Sequence, residues 1–387
     1  MTNTSAPQQV RIDASAGGTL PAALARDAAP ERLAVWETER ALWAPRTLTA
    51  YDPAGAAVGA ALTAGRPHSA YRKIVDVAAA DDAVWAALVA AARDDAATDD
   101  GTRPAPIAVH FEEHPAFAPL SDARRAALGA AGFAAVAAPV PSIPSTRADD
   151  PAGVAAWSFW RGAAPTRSAP YYGQTTDVTC GAVASLMALE QRGNHAFSPD
   201  SLVDNRAAEI AFWRRATNLP ACEPIGLAVE TAKLGAETGV LPALPRVFLS
   251  TPDPVLIEEF SSSEGERALR TDLQLESLRQ AEALGLPIER RWVDVPEIFE
   301  FVRGGSQVLL LIDLTELIAD PTPHWVLATE VVGDTLLISD PWVNAPTGES
   351  WVDTFALPLP AATVDLVTRW GDPAYRGVIV LPGASDQ

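Results

Sequence analysis

Residues 171–193 read "YYGQTTDVTCGAVASLMALEQRG", a polar, Gly-containing run that delivers one cysteine, Cys180, to the first position of a helix. Val183, Leu186, Met187 and Leu189 recur at near-helical spacing, and Gly193 is placed to stop the turn. The spacing predicts an amphipathic helix that opens at Cys180. A thiol there feels the positive end of the helix dipole, which favours the thiolate, the nucleophilic form. A free cysteine is also among the most buried residue types, so position alone leaves packing and catalysis both open.

A second signal lies downstream. The chain has five histidines, and His324 opens "HWVLATEVVGDTLLISDPW". The run reads as a β-hairpin with Gly333-Asp334 at its turn, whose open ends bring His324 and Asp340 together across sixteen residues of sequence. Parity constrains this. A two-residue loop in regular register pairs Leu327 with Asp340 and turns His324 to the opposite face. An odd loop, or one extra residue in a strand, pairs Val326 with Asp340 and makes His324 its diagonal neighbour, roughly 7–8 Å away. The hairpin is therefore predicted to carry an odd loop or a bulge. Six residues before Cys180, Gln174 offers an amide N–H that, with the Cys180 backbone N–H, suits an oxyanion hole.

These residues resemble the bacteriocin-processing cysteine peptidase family, which cleaves after double-glycine leaders and has a papain-like fold. The resemblance spans about residues 165–385 and rests on the Gln174-to-Cys180 spacing, the Cys180-Gly181 pair and the His324…Asp340-Pro341 hairpin; Ala182 stands where the family usually has proline. It implies that Cys180 is the nucleophile, His324 the general base and acid, Asp340 the group that orients the imidazole, and Gln174 an oxyanion donor. The implied activity is thiol-dependent amide-bond hydrolysis on a peptide or other amide substrate, with no cofactor and no metal. A non-catalytic peptide-binding module of the same fold, and an acyltransferase using the same acyl-enzyme, are the alternatives.

Upstream, the text alternates strand and helix patterns. "RTLTAYDPAGAAVGAALTA" reads as two strands about an Asp-Pro-Ala-Gly turn, "RKIVDVAA" and "PIAVHF" as strands, and "FAAVAAPV" as a last strand. "DDAVWAALVAAARDD" and "SDARRAALGAAG" read as helices, the second capped by Ser121. This order resembles the GNAT acetyltransferase family over roughly residues 30–145. That family binds the acetyl-CoA pyrophosphate on a Gly-rich strand-to-helix loop. The equivalent join here, "VDVAAADDAVW", has no glycine and two aspartates, so the domain is read as unable to bind that cofactor. The expected fold class is α+β: a papain-like cysteine peptidase domain preceded by a smaller GNAT-like α/β domain. The expected organisation is a poorly ordered segment at 1–30, the GNAT-like domain at 31–145, a Pro/Ser/Asp linker at 146–160, and the papain-like domain at 161–387.

Composition narrows the partners. The 387 residues carry 29 Lys and Arg against 49 Asp and Glu, a net charge of −20. Such a chain repels phosphate backbones and anionic lipid, so neither nucleic acid nor a membrane is an expected partner. The amino-terminal stretch has no cationic end followed by an apolar run, and two cysteines make no disulfide framework, so a reduced cytoplasmic location is expected. His110 and His114 in "VHFEEH" flank two glutamates but begin in a strand, not on a helical metal-binding face, and His68 and His195 read as surface residues. Cys222, in "NLPACEP", has no histidine or amide donor at useful spacing and serves as the contrast to Cys180. Trp325 and Trp342 flank the proposed histidine and aspartate, as core or as the walls of a cleft.

Overall fold

The computed structural model describes residues 10–96, 103–145, 153–167, 170–216 and 220–383. It is a mixed α/β chain with two seven-stranded sheets, each in its own unit. The first unit comprises 1–138, 153–164 and 344–353; the second comprises 139–152, 165–343 and 354–387.

Strands β1 (Arg11–Ala16), β2 (Arg46–Tyr51), β3 (Ala57–Ala64), β4 (Tyr71–Ala79), β5 (Ala108–Glu113), β6 (Ala134–Ala135) and β7 (Ala155–Trp160) form the first sheet in the order β1-β2-β3-β4-β5-β7-β6. Helices α1 (Ala22–Ala25), α2 (Pro30–Glu37), α3 (Asp82–Asp95) and α4 (Asp122–Ala130) accompany it. Trp85, Leu88 and Val89 of α3 pack with Leu48, Ile74, Val109 and Phe111 to make the core. Ser121 caps α4, its hydroxyl accepting from the Arg124 amide as expected. Three readings change. The stretch taken as a poorly ordered start contains β1, held along its length by β2. The stretch taken as a linker contains β7, which pairs with β5, while residues 146–152 lie outside the described residues. The last strand of the alternation shrinks to two residues, because β7 takes the place beside β5.

Residues 344–353, far along the chain, complete this first unit through buried charge. Glu349 meets the Arg66 guanidinium, and Asp353 meets both Lys73 and the Tyr71 hydroxyl (2.6 Å). Lys73, 1 % exposed, also faces Glu112 at 3.0 Å. Burial works against the Lys73 ammonium, but Asp353 and Glu112 outweigh it and raise its pKa.

In the second unit, β8 (Arg246–Leu249), β9 (Ile288–Glu289), β10 (Gln307–Asp313), β11 (Pro323–Val332), β12 (Thr335–Ser339), β13 (Leu357–Pro360) and β14 (Gly377–Leu381) run in the order β13-β12-β11-β10-β14-β8-β9. Pairing is antiparallel throughout except for β8 with β9. Helices α5 (Cys180–Glu190), α6 (Leu202–Ala216), α7 (Pro224–Thr238), α8 (Glu264–Leu284) and α9 (Val295–Arg303) cover it, with α5 against β11, α6 and α7. The expected amphipathic character of α5 does not hold: every residue from Cys180 to Leu189 is buried, because α6 and α7 close the side away from the sheet. Gly193 ends the helical stretch in a left-handed conformation (φ +88°). Among the described residues no helix is long and apolar enough to cross a membrane.

Candidate active site

Cys180 is the first residue of α5, as its sequence position requires. The preceding Thr179 stands where a helix-capping residue belongs, yet its side chain caps nothing and donates its hydroxyl to Glu209. The first-turn amides of α5 thus keep their donors, and the Gly181 amide favours the Cys180 thiolate. Glycine is needed next to the thiol. A Cβ at Gly181 would lie 3.1 Å from each of Cys222 Cβ, Leu227 Cδ2 and Trp325 Cδ1.

The hairpin delivers the histidine through an irregularity. Val332 pairs with Thr335 across a two-residue Gly333-Asp334 turn, and Val331 and Glu330 follow in step. The register then shifts between Glu330 and Ala328, so Thr329 is an extra residue and Leu327 pairs with Ser339. The bulge meets the parity requirement and turns His324 toward Asp340, with His324 Nε2 donating to Asp340 Oδ1 at 2.7 Å. Asp340 is fully buried and also accepts from the Trp342 amide at 2.8 Å, so its carboxylate is held from two directions. Its backbone is fixed as well, the carbonyl accepting from Tyr171 Oη (3.0 Å) and the amide donating to the Thr354 carbonyl (2.9 Å).

With Nε2 turned to Asp340, the other ring nitrogen is the one left for the thiol, and His324 and Cys180 act on each other electrostatically. Burial disfavours the Cys180 thiolate and is the largest single influence. The His324 charge and the amides of Trp325 and Gly181 outweigh it and lower the thiol pKa. For His324 burial again opposes charge, but Asp340 first and Cys180 second raise its pKa to about 10. The pair is electrostatically suited to thiolate and imidazolium across neutral pH. Cys222, by contrast, is pushed up by burial first and by the neighbouring Cys180 second.

Gln174 sits beside this pair by backbone, its amide N–H donating to the Pro341 carbonyl at 2.9 Å. Its side-chain Nε2 donates to the Thr176 carbonyl (2.7 Å), which uses one of two N–H groups. Its Oε1 is buried without a hydrogen-bond partner. Trp325 and Trp342 are both buried, Trp325 donating to the Cys222 carbonyl at 2.8 Å.

Other sequence candidates lie apart. His110 and His114 belong to the first unit, His110 Nδ1 to Ser158 Oγ and His114 Nε2 to the Val75 carbonyl, each at 2.8 Å. His68 and His195 are exposed. At the join read against a nucleotide cofactor, the Asp81 carboxylate caps α3 by accepting from the Val84 amide (2.8 Å). An anionic pyrophosphate would meet that carboxylate, so the residues do not fit acetyl-CoA. Sequence reasoning missed Glu209 and Tyr171. Glu209 was legible: Asn205, Glu209, Phe212 and Ala216 form the buried face of α6, so two polar residues stand on an inward stripe.

Comparison with known proteins agrees on part of the chain. Residues 169–382 match a family of unassigned function described as "Peptidase_C39 like". No curated protein matches. Among solved structures, the chain is similar to a nourseothricin acetyltransferase at 17% identity and TM-score 0.21, covering 30% of this chain and 65% of that one. It is also similar to the ribosomal-protein-S18-alanine N-acetyltransferase of Escherichia coli at 13% identity and TM-score 0.25, covering 40% of this chain and 99% of that one.

Proposed function

From the premise that this chain belongs to the Peptidase_C39 like family, whose match spans more than half of it, we propose that the second unit is a thiol-dependent amide-bond hydrolase of papain-like design. The observation that carries the reading is the His324–Asp340 hydrogen bond with Cys180, buried at an uncapped helix start, as the electrostatic partner of His324.

In this reading the Cys180 thiolate attacks the carbonyl carbon of a peptide bond, and the carbonyl π electrons move onto oxygen. The Cys180 backbone N–H and the second N–H of Gln174 receive the oxyanion. His324 gives its proton to the leaving nitrogen as the C–N bond breaks, leaving a thioester on Cys180. Neutral His324 then takes a proton from water as the water oxygen attacks the thioester, and the thiolate is regenerated with the acid product. Asp340 remains ionised and holds the ring so that Nε2 stays protonated. An amine replacing water would make the same site an acyltransferase.

Iodoacetamide labelling followed by intact mass and peptide mapping tests the assignment. Alkylation is expected at Cys180 well below the pH at which an ordinary thiol reacts, with Cys222 unmodified. Selective modification of Cys222, or a Cys180 that reacts only above its ordinary pKa, would overturn it.

A further inference from the structure

The loop that carries Gln174 into position has a buried carboxylate as an anchor. Glu209 of α6 is inaccessible to solvent. Its Oε1 accepts from the Thr175 amide (2.8 Å) and from Thr179 Oγ1; its Oε2 accepts from Thr175 Oγ1 (2.7 Å) and Tyr172 Oη (2.9 Å). The donors come from residues 172, 175 and 179, on both sides of Gln174 and ending one residue before Cys180. One carboxylate therefore organises the whole approach to the nucleophile. The loop is also tied by the Gln174 amide to the Pro341 carbonyl, next to Asp340, and by Tyr171 Oη to the Asp340 carbonyl.

A buried carboxylate without a cationic partner is costly unless its lone pairs are filled, and here four donors fill them. A helix meant only to pack would carry an apolar residue at this position. Holding the donors of an oxyanion hole rigid before charge develops is where such a carboxylate has catalytic value. The Thr179 hydroxyl links the two roles. It caps no amide of α5, and its bond to Glu209 fixes the residue whose peptide unit bears the Cys180 N–H.

We propose that Glu209 is a positioning residue that sets the oxyanion donors of the Cys180 site, acting through Thr175 and Thr179. The proposal rests on the reading of Cys180 as an acyl-accepting nucleophile.

Two small probes separate the outcomes. Acylation of Cys180 by p-nitrophenyl acetate passes through an oxyanion, whereas alkylation by iodoacetamide does not. Both rates are read on the full chain as mass added at Cys180. Glu209→Ala is expected to slow acylation by about 10²-fold, the loss seen when one oxyanion donor is removed, with alkylation within about twofold of the unmodified protein. Glu209→Gln, which keeps an acceptor oxygen and lets the hydroxyls turn, is expected to recover most of the acylation rate. Thr179→Val serves if Glu209→Ala does not fold, with a smaller loss in the same direction, about 10-fold. The inference fails if acylation and alkylation fall together, or if neither variant changes their ratio. If the unmodified protein itself is acylated no faster at Cys180 than at Cys222, the functional reading fails and this inference with it.

Discussion

The His324 ring and the Asp340 carboxylate stand 2.7 Å apart only because Thr329 is an extra residue in β11. Asp340 acts on that ring in two ways, by holding Nε2 and by adding charge, and the two are separable by substitution. Asparagine at 340 retains an acceptor for both Nε2 and the Trp342 amide while removing the charge that most raises the His324 pKa. Asp340→Asn is expected to move the alkaline limit of activity down from about 10 by at least about one pH unit. Turnover falls by on the order of tenfold, and Asp340→Ala falls further because the ring loses its orientation as well. Turnover against pH for the two variants checks this; an unmoved alkaline limit in Asp340→Asn would contradict it.

The pH dependence of the unmodified protein follows from the two shifted groups. The Cys180 thiol is lowered and the His324 imidazolium raised to about 10, so thiolate and imidazolium coexist between those limits. Amide turnover is expected to rise as Cys180 loses its proton, below the ordinary thiol range near 8.5, and to fall as His324 loses its proton near 10. Iodoacetamide reactivity shares the acidic limb but not the alkaline one, since alkylation needs no proton donor. A single alkaline rise near the ordinary thiol value would show that the pair does not form.

Much of this geometry is written in the sequence, and what is not has physical causes. Cys180 at a helix start follows from the polar lead-in and the apolar spacing. The need for an odd step in the hairpin follows from strand parity, although parity does not say that Thr329 is the residue to bulge. The amphipathic reading of α5 failed because burial on every face depends on α6 and α7, which arrive later in the chain. The placement of β1 and β7 was missed because their pairing is non-local and their short runs of Ala, Ser and aromatic residues carry a weak alternation signal. Residues 344–353 could not be assigned to the first unit from sequence at all. Their partners Arg66, Tyr71 and Lys73 lie more than 270 residues away, and charged residues in a loop read as solvated.

Within the first unit, Lys73 is the test of how tightly that segment is held. Lys73→Met removes the cation facing both Asp353 and Glu112 and leaves two buried carboxylates without it. The expected loss is about 3–5 kcal/mol, read by urea unfolding of the full chain with a probe in the first unit. The acid side shows the same pairing. The Asp353 pKa is raised by burial first but lowered overall by Lys73, so its contribution is present above the unfolded-state value near 3.9 and disappears as pH falls through the lower folded value. Lys73→Met is expected to remove that acid-side slope. Retention of full stability would mean that the carboxylates find other donors.

The tightest packing at the site is expected to be the most sensitive to one added methyl. A Cβ at Gly181 meets Cys222 Cβ, Leu227 Cδ2 and Trp325 Cδ1 at 3.1 Å each, so three neighbours must all give way. Trp325 is further fixed by its bond to the Cys222 carbonyl (2.8 Å), and its backbone amide is one of the groups that favour the Cys180 thiolate. Gly181→Ala is therefore expected to destabilise the second unit by about 1–3 kcal/mol through overpacking. It should also raise the pH at which Cys180 begins to react, because displacing Trp325 moves an amide that favours the thiolate away from the sulfur. Gly181→Ala with Leu227→Val removes one of the three contacting atoms, Leu227 Cδ2, and is expected to restore part of both. Thermal melting and the pH profile of iodoacetamide labelling are measured together. A variant that loses stability with an unchanged profile would place the strain away from the sulfur.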